Sequence, residues 1–554
     1  MRDPWIRLPL LGTLALLLLS CGGSSAPSGT ASAGSGDGGS GGSSGGSTGT
    51  ATDVLTYHND TLRTGQNLTE TVLTPSNVTV SSFGLLRVLP ADGLVDAAPL
   101  IVSGLSIGGS SHNVVYVASE HDSVYSYDAD SGAAIAQVSL LASGETPSDP
   151  VDGCTQVVPE IGVTSTPVID RTAGSNGTLF VVAMSKDSSG NYHQRLHALD
   201  LTTLAERLSP VEITAAYSGS GPNSDRGQLT FNPMQYKERA ALLLSQGVIY
   251  TAWASHCDDE PYNGWIMGYN ETTLAQSVVF NLTANGDEGA IWGTGGLAAD
   301  STGAIYGVAG NGTFDTTLGV NGLPGQLDCG NCVFKLTASG GTLTLADYFT
   351  PYNTVTLSQT DTDFGSGSAL LLPTQLDGSG TARALLVAAG KDGNLFVLNR
   401  NNLGHFDANT NAVYQEISDG APGGVWSTFA YFNGNVYIGS VGNPLRAYSV
   451  SMAQLLTTPS SMSSINFAYP GPAPAISANG SSNGIVWAVE ANSLGIAVLH
   501  AYNPANLAQE YYNSTQAANK RDGFGAGNKF MTPVIANGKV FVGTPTGVAV
   551  FGEL

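Results

Sequence analysis

The chain has 554 residues, of which 42% are hydrophobic and only 11% charged, against about 25% charged residues in an average soluble domain. Its surface must therefore be built from Ser, Thr, Asn and many of the 71 glycines, which fits an exported β protein better than a helical cytosolic enzyme. The 43 acidic and 20 basic residues leave a net charge of −23, and no Lys/Arg cluster offsets it locally. A nucleic-acid partner is excluded on that ground, because such a surface repels phosphate backbones.

Residues 1–20 read as an export signal. Arg2 and Arg7 supply the positive start, and Leu8 to Leu19 supply an apolar run too short to span a bilayer. Leu18-Leu19-Ser20-Cys21 resembles a bacterial lipobox, and the resemblance implies acylation of Cys21. Gly22 in place of Asp implies the outer membrane by the same resemblance. Residues 22–52 are almost entirely Gly, Ser, Thr and Ala, so residues 21–52 form an acylated cysteine with a flexible tether of about 30 Å average reach. The expected location is the cell envelope, with the membrane touched through the lipid alone and residues 53–554 forming one folded body.

That body repeats every 50 to 80 residues, a spacing typical of propellers and solenoids. A short β-branched and aromatic run recurs eight times, beginning at Val114, Leu179, Val248, Ala304, Leu385, Val436, Ile485 and Val540. Each reads as a buried strand. Upstream of several lies a strand opening on proline, at Pro99, Pro167, Pro474 and Pro533, where no ladder bond is lost. Downstream lies a third strand ending in Asp128, Asp200, Asn270 or Asn503, side chains that start turns by accepting from amides two residues on. A fourth strand follows, such as 134–140. Four antiparallel strands repeated eight times predict an all-β fold, an eight-bladed β-propeller. The last unit stops after its third strand, 548–551, and a spare strand at 83–89 is free to close the ring. A closed ring has no open edge, so a monomer is expected.

Four cysteines remain, Cys154, Cys257, Cys329 and Cys332, and export makes disulfides available among their three pairings. The favoured set joins Cys329 to Cys332 within a loop and Cys154 to Cys257 across neighbouring blades. A zinc site has one CxxC but no second pair at ligand spacing.

The phrase Tyr125-Ser126-Tyr127-Asp128-Ala129-Asp130-Ser131-Gly132 resembles the repeat of quinoprotein alcohol dehydrogenase-like propellers, over most of residues 83–554. That superfamily includes enzymes using pyrroloquinoline quinone with calcium, and non-catalytic outer-membrane assembly lipoproteins. Gly310-Asn311-Gly312 is similar to the enzymes' segment whose asparagine binds calcium. Asp361-Thr362-Asp363-Phe364 lies where they carry the catalytic base, and Gly390-Lys391-Asp392-Gly393 resembles their lysine-bearing strand. Asp258-Asp259-Glu260 falls where they present a calcium-binding glutamate. The resemblance implies Asp259, Glu260 and Asn311 as calcium ligands, Trp292 and Lys391 at the quinone, and Asp363 with Lys391 as the catalytic pair. The departures are equally specific: no adjacent Cys-Cys, no docking tryptophan on the fourth strands, a gap needed to align the glutamate, and no haem motif. Read structurally, Asp392-Gly393 is a hairpin turn and Asn311 a left-handed turn residue. Two functions follow. The first is a non-catalytic envelope propeller that binds a protein or glycan on its loop face, shaped by the insertions before Cys154 and at 218–231 and 318–332. The second is a divergent quinone- and calcium-dependent alcohol or sugar dehydrogenase.

Overall fold

The structure is a computed structural model describing residues 52–490 and 495–554; the expected signal peptide, Cys21 and nearly all of the tether lie outside them. Eight four-stranded antiparallel blades account for the repeat. In the first, Leu100–Ile107, Ser110–Ala118, Ser123–Asp128 and Ala134–Ser139 pair in that order. The second and third strands are buried almost throughout, while the fourth is mostly exposed. Inner strands are sandwiched between neighbouring blades, so both faces must be apolar. All eight runs picked out in the sequence fall in the second strand of their blade, although Ala304 lies just ahead of Ile305–Val308. The prolines differ slightly from expectation: Pro99, Pro167, Pro474 and Pro533 each stand one residue before the innermost strand.

The turn chemistry follows the sequence. Asp128 Oδ1 accepts from the Asp130 and Ser131 amides, and Asp200, Asn270 and Asn503 do the same two residues on. Between blades, apolar side chains interlock; Trp253 and Trp265 are fully buried against Phe231 and Tyr236. Cys154 is bonded to Cys257 and Cys329 to Cys332, the pairings favoured from the sequence.

The ring closes through the N-terminal side. Phe83–Pro90 pairs antiparallel with Gly547–Glu553, from Phe83 opposite Glu553 to Pro90 opposite Gly547. Phe83 itself is fully buried among Trp487, Tyr512 and Phe551. The last blade thus takes its outer strand from the other end of the chain and leaves no edge there for another chain to extend.

A second device was not anticipated. Residues 54–67 cross the axis and bond to the innermost part of every blade. Val54 exchanges backbone bonds with Ile101, and the amides of Ile169, Ala299, Leu371, Tyr431 and Ile476 donate to the carbonyls of Leu55, Thr61, Leu62, Thr64 and Gly65. Asn67 Nδ2 donates to the Ile535 carbonyl. The third blade is reached by Arg63, which donates to the carbonyl of Leu242, next to its innermost strand, and to that of Leu297. Inward-facing amides and carbonyls of a ring have no sheet partner, and burying them unpaired is costly. This hub satisfies one or more from each blade.

Candidate functional site

Above the hub lies a cavity of about 200 Å³ on the axis. Its walls come from loops that lead into innermost strands, with Gln156, Arg239, Trp292, Asp361, Asp363, Trp426, Tyr469 and Lys529, and from loops between second and third strands, with Asp258 and Lys391. Such loops all open at one end of a propeller, so residues far apart in sequence converge there. The floor is continuous with the hub. Two residues beyond Trp426, Thr428 bonds the Tyr57 hydroxyl and His58 Nε2.

One side of the cavity is a fixed charge network. Lys391 Nζ lies 2.6 Å from Asp363 Oδ2 and 2.6 Å from Asp361 Oδ1. Asp363 Oδ1 accepts from the Asn311 amide at 2.7 Å and from the Trp292 indole at 3.2 Å. Burial acts to lower the Lys391 pKa, but the Asp363 and Asp361 carboxylates outweigh it and hold the ammonium above its ordinary value. Close approach of these loops requires glycine. A Cβ on Gly310 would sit 2.5 Å from Asp363 Oδ1 and 2.7 Å from the Trp292 nitrogen.

Asn331, inside the Cys329–Cys332 turn and at φ +49°, locks the network from behind. Its amide donates to Asn311 Oδ1 and Ser358, and its carbonyl oxygen accepts from the Phe364 amide. The sequence offered no reason to single it out beyond the flanking cysteines.

The other side is cationic and aromatic. The Arg239 guanidinium lies over the rings of Trp292 at 5.1 Å and Phe530 at 4.8 Å. Lys529 Nζ lies 5.7 Å from both Tyr469 and Phe530, and Tyr469 packs edge-on to Trp426. Burial first, then the charge of Arg239, pushes the Lys529 pKa down to about 8. Asp96, which lines an adjoining hollow, is buried within electrostatic reach of Glu120 and Lys237. Burial raises the carboxyls, Glu120 to about 8, and lowers Lys237 to about 7. None of these basic residues was singled out from the sequence. The available signal was the charged triplet Lys237-Glu238-Arg239 running on from a strand in a chain with few charges.

The residues expected at a quinone and calcium site are thus only partly gathered. Trp292, Asp363 and Lys391 meet, with Asn311 touching Asp363 through its backbone. From the acidic triplet, Asp258 lines the cavity, while Asp259 and Glu260 do not. Positive φ at Cys257 and Asp258 turns the chain there. Tyr262 donates to Asp258, and burial first, then Asp363, raises the Asp258 pKa. Glu260 neighbours Glu288, whose pKa is raised to about 7 by burial first and then by Glu260. Among the described residues no three His, Cys, Asp or Glu side chains are grouped to hold a metal, and Asn311 Oδ1 is already held by Asn331. As arranged, these donors do not fit a resident calcium ion, which needs several free oxygens at one point. Nor is the Trp292 face open to a stacked quinone, since Arg239 lies on it.

No protein-family model matches the chain, and no curated protein matches it. Solved structures do. Over 90% of this chain and 80% of theirs, two quinohemoprotein alcohol dehydrogenases superpose: that of Comamonas testosteroni at 15% identity and TM-score 0.58, and one from Pseudomonas putida at 14% and 0.57. A europium-containing methanol dehydrogenase matches at 13% identity and TM-score 0.54, over 90% of this chain and 98% of that one. The likeness is one of fold: the chain shares the propeller fold of these solved structures.

Proposed function

We propose that the protein is a binding propeller of the cell envelope, anchored through Cys21, whose axial cavity holds a sugar residue of a glycan. One observation carries this reading: Trp426 and Tyr469 share a small cavity with Asp, Lys and Arg side chains from the loops around the axis. Aromatic faces pack against the C–H faces of sugar rings, and charged groups make the stronger hydrogen bonds to hydroxyls. The size agrees. A cavity of about 200 Å³ is below the roughly 300–1,000 Å³ of drug-sized sites, so it takes one ring and leaves the rest of a chain outside. The test is calorimetry of the full-length protein against a panel of oligosaccharides, with Trp426→Ala as control. Binding that is lost in the variant supports the reading; no binding to any sugar refutes it.

A dehydrogenase is the second reading, favoured by the meeting of Trp292, Asp363 and Lys391. It requires Arg239 to leave the indole face and the carboxylates to regroup. Adding calcium and pyrroloquinoline quinone to the protein, with a dye acceptor and an alcohol panel, decides it. Dye reduction that is lost in Asp363→Asn would replace the binding reading.

A further inference from the structure

The cations of the cavity are unequal. Lys391 is paired with two carboxylates, whereas Arg239 and Lys529 have no carboxylate oxygen within 4.0 Å among the described residues. Arg239 is only 9% exposed, and among the described residues its Nε has no partner and its side chain's one hydrogen bond goes to the neutral Gln156 side-chain carbonyl. A buried guanidinium left without an anion is costly and is seldom kept in a protein interior without one. In a chain of net charge −23 with 20 basic residues, two unpaired cations facing one cavity concentrate positive potential where the rest of the surface repels anions. The opposite wall has the other polarity, with Asp258, Asp361 and Asp363.

We propose that the cavity recognises an acidic sugar, a uronate-type residue whose carboxylate lies between Arg239 and Lys529 and whose hydroxyls face the aspartates. This rests on the glycan reading and names the class of sugar. A guanidinium beside an ammonium matches a carboxylate. Asp258 and Asp361 on the other wall, each with Oδ2 free of a protein partner among the described residues, accept from hydroxyls, and the Tyr469 and Trp426 rings offer a surface for the pyranose. A simple organic acid would use the cations and leave the aspartate wall without donors.

The cavity also continues outward. Gln156, Tyr469 and Lys529 are shared with a second, larger hollow of about 450 Å³, walled by Val157, Val158 and Pro470. Lys529 stands at the junction. The ligand is therefore an oligosaccharide carrying its acidic residue in the inner chamber and further rings in the outer one.

The experiment titrates the full-length protein with a galacturonate trimer, its methyl ester, the matching galactose trimer and benzoate. The acid is expected to bind at least about tenfold more tightly than the ester or the neutral sugar, the lower end for a charge-assisted bond. Lys529→Gln, at a partly buried position in the wall of the cavity, should remove that preference. Equal affinity for acid and ester overturns the proposal while the glycan reading stands. Benzoate binding as tightly as the trimer overturns the assignment to sugars. No binding by any sugar overturns both.

Discussion

Replacing Arg63 tests whether the hub holds the ring together. The side chain is 1% exposed and makes four bonds, to the carbonyls of Leu297, Tyr57 and Leu242 and to the Thr56 hydroxyl. Two of these join the third and fourth blades to a segment that also bonds the other six. Hydrogen bonds to charged groups contribute about 1.5–3 kcal/mol each, so the low end for four is roughly 6 kcal/mol. Against this stands the cost of burying the charge. Burial pushes the Arg63 pKa down to about 10 from 12.5, which corresponds to about 3 kcal/mol. Arg63→Leu should therefore lose about 3 kcal/mol net, within the range for breaking a buried polar network. Arg63→Lys should fall between, because an ammonium cannot reach acceptors spread across two blades. Urea unfolding of the full-length protein, followed by tryptophan fluorescence, measures both. A loss under about 1 kcal/mol for the leucine variant would show that blade packing alone sets the stability and that the hub is a passenger.

Deleting 83–90 leaves Gly547–Glu553 as an open edge; self-association in sedimentation is expected, and a monomer would count against strand closure. Asn331→Ala frees the Phe364 amide and Asn311; about 2 kcal/mol of stability and most ligand binding should go together, as read by urea unfolding and calorimetry. Replacing both Cys154 and Cys257 by serine opens a loop of sequence separation 103, and urea unfolding should register a loss of up to about 4 kcal/mol. Glu288 has its pKa raised from 4.5 to about 7 in the folded protein, so its contribution is complete below pH 4.5 and is lost as pH rises through 7. Glu288→Gln should accordingly raise the melting temperature relative to the parent at pH 8 and not at pH 4; the reverse order would refute the assignment.

The blades were legible because an inner strand must be apolar on both faces, and runs such as Val114 to Val117 and Val540 to Val542 announce that plainly. The closing strand was legible because the last unit lacked its fourth. The hub was not. Residues 54–67 have no period, since their job is to pair backbone groups, and His58, Asn59, Arg63 and Gly65 take positive φ. A buried arginine bonded to carbonyls looks in sequence like any surface arginine. In the cavity, Trp292, Asp363 and Lys391 were found by resemblance, whereas Arg239 and Lys529 sit in no motif and matter only because the ring brings them together. In the acidic triplet, a turn at Cys257 and Asp258 brings Asp258 to the cavity and leaves Glu260 beside Glu288.

One ring geometry can carry different chemistry. Every blade delivers a loop to the same axial end, so a cavity there is a consequence of the fold, while its use depends on which charges remain unpaired. A base must keep an oxygen free for a proton, yet both oxygens of Asp363 are engaged, by Asn311 with Trp292 and by Lys391. A metal site must keep several oxygens free, yet Asn311 is held by Asn331. The groups most like those of an enzyme are thus bound to each other, and the free capacity has moved across the cavity to Arg239 and Lys529. Recognition of an anion needs only that capacity, with no reacting group poised beside it, and it is what this arrangement leaves available.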